Sequence, residues 1–293
     1  MVELSLFGGR PNSKKDERSM PGQSETPANK PQDLLKRPRF ILGEKRRQHY
    51  RDRIYREAEG KGRAPDYVGV GAQRAGTSRW HTLITAHPDV VDVTDPTGRV
   101  VKEIHWFDQP LAADTTDRDQ AYFAWFDAPE DKTIGEFTPR YLYDLWPIDR
   151  LAELAPDLKI FVFLRDPLSR LVSALQFYDQ RGIVLDRDAV RESIWRGLYS
   201  NQLDYLFQRF PREQVFVGIH EIGSTRPTEE LASMYRFLDL DDSFVPDGMD
   251  RRVNGSAKIE IDERILATAR TLYEADRPRL EAVLPDVDLS AWT

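Results

Sequence analysis

The chain has 293 residues, 40% hydrophobic and 11% aromatic, enough for one large or two small cored domains, which excludes global disorder. It contains no Cys, which excludes a disulfide scaffold, thiolate zinc sites and a Cys nucleophile. The formal net charge is −7, with +7 on residues 1–63 (16 Lys and Arg against 9 Asp and Glu) and −14 on the rest, so the body is not that of a general nucleic-acid binder.

Residues 1–63 read as a basic N-terminal extension. Its first 35 residues are rich in Pro, Gly, Ser, Asn and Lys and are expected to be disordered. Residues 36–60 mix cations with spaced apolar side chains and predict a helix, read as a solvated arm rather than a docking segment. The chain opens without an uninterrupted apolar leader, and no apolar run approaches the roughly 20 residues that cross a bilayer. A cytoplasmic protein with no membrane span is the expectation.

From residue 64 to 293 the texture is that of one domain. Tyr67–Gly71 reads as a short buried strand, and Trp80, Leu83 and Ile84 fall on one face of a following helix. Val90–Val93 and Thr133–Phe137 are further strands, and Pro147–Ala155 has helical spacing. Lys159–Leu164 is the clearest buried strand. Asp166 and Pro167 then suit the N-cap and first position of a helix carrying Leu168, Leu171, Val172 and Leu175. Helices are predicted over 193–210, 229–238 and 261–284, with a strand over 214–219. Alternating strands and helices predict an α/β fold, a single P-loop-like domain with a central parallel sheet flanked by helices.

Two strand-to-helix junctions carry the chemistry. The first is Gly71-Ala-Gln73-Arg74-Ala75-Gly76-Thr77-Ser78. Glycine permits a turn in which successive N–H groups converge on an anion at a helix N-terminus, and Arg74, Thr77 and Ser78 add a cation and two hydroxyls. The spacing approaches a Walker A loop, but Thr77 stands where that loop has Lys. The second junction has Arg165 at a strand end and Ser173 about two helical turns on, a compact site for an isolated phosphate. A cation where an NTPase needs a Mg²⁺-binding carboxylate points to a nucleotide bound without metal.

Glu103, His105 and Asp108 share one short segment. If that segment is extended, Glu103 and His105 project to the same side. A carboxylate there is a candidate proton acceptor, with His105 orienting it or serving as base itself.

Together these elements resemble the sulfotransferases that use 3′-phosphoadenosine 5′-phosphosulfate. The first junction resembles their 5′-phosphosulfate loop, and Leu164-Arg-Asp-Pro-Leu-Ser-Arg-Leu-Val-Ser173 their 3′-phosphate motif. Lys102-Glu-Ile-His-Trp-Phe-Asp108, Gly135-Glu-Phe-Thr-Pro139 and Arg196-Gly-Leu-Tyr199 match in order, and the first of these looks most like the heparan sulfate branch. The resemblance implies a kinase-like α/β fold and sulfuryl transfer to a hydroxyl, with adenosine 3′,5′-bisphosphate leaving and no metal required. It implies Arg74 at the transferring group and Glu103 as base with His105 assisting. Gln73, Ala75, Gly76, Thr77 and Ser78 would lie on the 5′ side of the nucleotide, and Arg165 and Ser173 on the 3′-phosphate. Tyr199 would also touch the nucleotide. Arg252, Asn254 and Gly255 sit in a segment that either closes over the nucleotide or is an ordinary polar loop.

His105, Trp106, Asp108, Phe137 and Tyr141 are the candidate acceptor residues, with Trp125 a further aromatic neighbour. Relatives commonly carry Lys where Phe137 stands, so the resemblance favours a neutral or partly apolar acceptor: a small molecule, lipid or glycan. Two competing readings are an ATP-dependent P-loop phosphotransferase and a catalytically silent nucleotide-binding interaction protein. A homo-oligomer is left open.

Overall fold

The computed structural model describes residues 62–95, 97–108, 121–247, 249 and 259–292. The N-terminal extension up to residue 61, with its expected disordered and helical parts, lies outside them. So do Arg252, Asn254 and Gly255.

Five short strands make one parallel sheet: β1 (Tyr67–Gly71), β2 (Val90–Val91), β3 (Thr133–Phe137), β4 (Lys159–Leu164) and β5 (Val215–Ile219). Their order is β2-β3-β1-β4-β5. The central strands are buried on both faces, as continuous apolar runs in parallel sheets are. Strand order reverses about β1, so the C-terminal ends of β1 and β4 bound the crevice where open α/β sheets bind ligands.

The helices are α1 (Thr77–Thr85), α2 (Tyr141–Asp144), α3 (Trp146–Leu154), α4 (Pro167–Gln180), α5 (Arg187–Trp195), α6 (Tyr199–Phe207), α7 (His220–Thr225), α8 (Pro227–Phe237) and α9 (Glu263–Val283). Asp166 caps α4 by accepting from Ser169 N–H at 2.7 Å, with Pro167 in the first turn. The single helix expected over 193–210 is two, α5 and α6, broken at Gly197. The Tyr273 ring of α9 comes so close that a Cβ on Gly197 would lie 2.8 Å from it. Tyr273 also donates to Ile194 C=O at 2.9 Å, fixing the break from outside the segment.

The main core runs through the sheet. Phe137, Phe161 and Phe163 stack with one another, and Trp80 of α1 stacks on Phe163 at 5.7 Å. Each such fully buried aromatic stabilises the fold by about 2–3 kcal/mol through apolar burial. A smaller cluster of Leu171, Leu175, Val190, Ile194, Ala269 and Tyr273 joins α4, α5 and α9. It claims one face of α4 and leaves Ser173 and Phe177, one turn apart, to share another.

Candidate active site

The loop between β1 and α1 turns through two residues of positive φ, Arg74 at 73° and Gly76 at 88°. Left-handed backbone at a non-glycine costs of order 1 kcal/mol and marks a loop shaped for something other than stability. Gly76 is the N-cap of α1 and makes no side-chain cap, so the first turn keeps its N–H groups and positive dipole end for an anion. His220 packs beneath the loop: a Cβ on Gly76 would lie 2.8 Å from its Nδ1. Burial, then the Arg165 and Arg79 cations, push the His220 imidazole down to about 4, so it is neutral at pH 7.

The two junctions expected to cooperate are in contact. Arg74 donates from Nε to Ser173 Oγ at 3.2 Å. Its guanidinium lies 4.4 Å over the Phe177 ring, and Arg181 lies 4.3 Å over the same ring. Arg165 donates from Nη1 to Arg74 C=O at 3.4 Å. Burial and the like charges of Arg165 and Arg181 lower the Arg74 pKa from its usual value. Cations gathered this closely are stabilised by an anion placed among them.

Tyr199, expected to touch the nucleotide, is fully buried and donates to Arg165 C=O at 3.0 Å. It therefore positions Arg165 from behind. Among the other loop residues, Ala75 and Thr77 are buried and Ser78 is exposed. Gln73 is half-buried.

The segment 102–108 is a loop, not the extended strand considered from sequence, and His105 has φ 55°. The loop is tied along the end of β3. Phe137 N–H donates to Lys102 C=O at 2.9 Å, Ile104 N–H to Glu136 Oε2 at 3.3 Å and His105 N–H to Thr138 Oγ1 at 3.2 Å. The Thr138 hydroxyl in turn donates to Glu136 at 2.6 Å, and Tyr122 OH donates to its other oxygen at 3.2 Å. Because β3 neighbours β1, this pinning brings the 102–108 loop beside the anion loop.

A continuous line of polar contacts results. Lys102 Nζ donates to Thr77 Oγ1 at 3.3 Å and to Glu103 Oε1 at 2.8 Å. Glu103 Oε2 lies 3.0 Å from His105 Nε2, and His105 Nδ1 lies 2.5 Å from Asp108 Oδ2. With both carboxylates ionised, each ring nitrogen of His105 must carry a proton to donate. Burial works against charge on Glu103, but the His105 hydrogen bond and the Lys102 ammonium outweigh it and hold the carboxyl down at about 2.

Three expected acceptor residues are elsewhere. Phe137 is fully buried, its ring lying across Gly69 and against Phe161, Phe163 and His81, so it belongs to the core. Tyr141 is fully buried and its hydroxyl accepts from Trp106 N–H at 2.8 Å, which holds the loop. Trp106 itself is only 5% exposed and packs on Tyr122. A buried ring cannot line a cleft. Trp125 is buried as well, and so is His81. His105 and Asp108 stand in the polar line.

Sequence reasoning missed three contributors: Lys102, Glu136 and Thr138. Lys102 and Glu136 had one available signal, a charge placed directly beside a candidate base or inside a buried strand.

No family model matches the chain. It is 25% identical over 204 residues to human heparan sulfate glucosamine 3-O-sulfotransferase 3A1, covering 62% of this chain and 46% of that protein. It is also 25% identical over 202 residues to human heparan sulfate glucosamine 3-O-sulfotransferase 6, covering 62% and 54%. The chain thus spans about half the length of the curated relatives it matches. The crystal structure of a sulfotransferase from Alicyclobacillus acidocaldarius superposes with a TM-score of 0.63 at 27% identity, covering 78% of this chain and 98% of that one. In sequence and in fold the chain is similar to sulfotransferases. A Mycobacterium avium sulfotransferase, 14% identical with a TM-score of 0.51 and covering 83% of this chain, shares the fold.

Proposed function

We propose that the chain transfers a sulfuryl group from 3′-phosphoadenosine 5′-phosphosulfate to an acceptor hydroxyl by in-line displacement. The observation that carries this reading is the line of contacts from the anion loop, through Lys102, to Glu103, His105 and Asp108. One side chain, Lys102, links Thr77 of the loop we read as donor-binding to Glu103, which we read as the base. Arg165 and Ser173 hold the 3′-phosphate, and the first turn of α1 holds the 5′ group. The acceptor O–S bond forms as the bond from sulfur to the bridging oxygen breaks, and Arg74 offsets charge developing on that oxygen. The acceptor proton passes to Glu103. His105, with a carboxylate against each ring nitrogen, is placed to orient Glu103 rather than to act as the base itself.

The donor site uses cations and N–H groups, and we propose no metal. Among the described residues no group of three or more His, Asp or Glu is placed to hold one. Among them, too, no helix is long and apolar enough to cross a membrane. An uncharged hydroxyl on a glycan, lipid or secondary metabolite fits the acidic body better than a polyanion. We place the activity in the cytoplasm.

Calorimetry tests the reading. Adenosine 3′,5′-bisphosphate should bind without metal and more tightly than AMP or ATP–Mg²⁺. A preference for ATP–Mg²⁺ overturns the proposal in favour of phosphoryl transfer.

A further inference from the structure

The Lys102 ammonium is shared between two partners that do different jobs. One is Thr77 Oγ1, on the first residue of α1, where the loop presents its N–H groups. The other is Glu103 Oε1, on the candidate base. Lys102 keeps only 19% of its side-chain surface exposed, so its reach is confined to this gap. The anion loop has Thr77 where a Walker loop has Lys, so no cation enters from that loop position. An anion seated on the first turn of α1 lies beside Thr77 and within the span of the same ammonium.

We infer that Lys102 is a donor-binding residue that exchanges between Glu103 and the 5′ group of the nucleotide, so that donor loading releases the base. The inference rests on the sulfotransferase reading above. Its chemistry is competition for one cation. Without donor, Lys102 and His105 both neutralise Glu103, which is then a poor proton acceptor. With donor, a dianionic 5′ group draws the ammonium across the gap. Glu103 then keeps only His105 and gains basicity at the moment a sulfuryl group is present to receive the acceptor oxygen. An acceptor that arrives first meets a carboxylate still held by Lys102.

Competition makes a prediction that a merely structural lysine does not. Removing the rival carboxylate should strengthen nucleotide binding. By calorimetry, Glu103→Gln is expected to bind adenosine 3′,5′-bisphosphate about threefold tighter than wild type, and Lys102→Met about tenfold more weakly. Lys102→Arg should stay within about threefold of wild type. The double variant Lys102→Met, Glu103→Gln should show no gain over Lys102→Met, because the rivalry needs both partners. Adenosine 3′-monophosphate, which lacks the 5′ group, should bind all four proteins and wild type alike.

Wild-type binding with unchanged affinity in Lys102→Met, or no tightening in Glu103→Gln, overturns the inference and leaves the sulfotransferase reading standing. Equal losses for both nucleotides in Lys102→Met also overturn it, since they mark a folding defect. Failure of the wild type to bind the bisphosphate overturns the donor reading and this inference with it.

Discussion

Glu103 and Glu136 are two carboxyls in one neighbourhood with opposite electrostatics. Glu103 is held at about 2 because His105 and Lys102 outweigh its burial. Its folded pKa lies below its unfolded one, so its ion pairs stabilise the fold fully above about pH 5 and are lost as pH falls toward 2. Glu103→Gln should therefore melt below wild type at pH 7, and the gap in melting temperature should close on acidification. The same variant should lose turnover by a factor of about 10²–10⁴, the usual contribution of general base catalysis, while still binding nucleotide. Near-normal turnover refutes the assignment of the base. Glu136 is fully buried, and burial raises it to about 7 against the hydrogen bonds from Thr138, Ile104 and Tyr122. Here the folded pKa is the higher one, so the group favours folding below about pH 4.5 and loses that advantage as pH rises through 7. The melting temperature of Glu136→Gln, compared with wild type, should improve between pH 5 and pH 8. A constant difference across that range shows that Glu136 does not titrate there.

The junction of β4 and α4 carries two separable functions in adjacent residues. Arg165 reaches the Arg74 carbonyl and has its own carbonyl held by Tyr199. Arg165→Ala should weaken adenosine 3′,5′-bisphosphate binding by about 10–100-fold in a titration, the scale of one lost charge-assisted pair. Asp166 caps α4, and Asp166→Ala should cost about 1 kcal/mol. For a domain of this size that is a drop of about 2–4 °C in melting temperature. If the Arg165 variant instead melts lower and binds normally, the roles are reversed. This junction was also the most legible part of the sequence, because its signals are local. A continuous apolar run defines β4, and the Asp-Pro pair defines the start of α4. The strands β1 and β3 end where their apolar runs end for the same reason. The break at Gly197 was not legible, because helical spacing runs through it and its cause is Tyr273 on α9. His220–Thr225 was missed because its six residues are too few to show a period. In the site, the cations, the hydroxyls and the Glu103–His105 pair were legible as residue types in context. The roles of Lys102, Glu136 and Tyr199 were not, since each depends on which strands become neighbours.

For the whole molecule, the aromatic stack through the sheet limits how the site can be altered. A Lys cannot simply be placed at position 137. Phe137 lies among Tyr67, His81, Phe161 and Phe163 and is fully buried. Phe137→Lys buries an unpaired ammonium and removes a packed ring, a loss of at least about 3 kcal/mol. A fall of about 6–12 °C in melting temperature is expected, without new affinity for anionic acceptors. A stable variant that gains such affinity places position 137 in the cleft after all. The strand order has a further consequence for how the protein comes into being on the ribosome. The loop of Arg74 and Gly76 follows β1, yet β1 is flanked by β3 and β4, which are synthesised some 65 and 90 residues later. Until β4 has left the exit tunnel, Tyr67 and Val68 have no second neighbour and the cation pair cannot meet. These sequence-distant pairings complete late, so the nascent chain stays open and in need of protection until the two junctions come together.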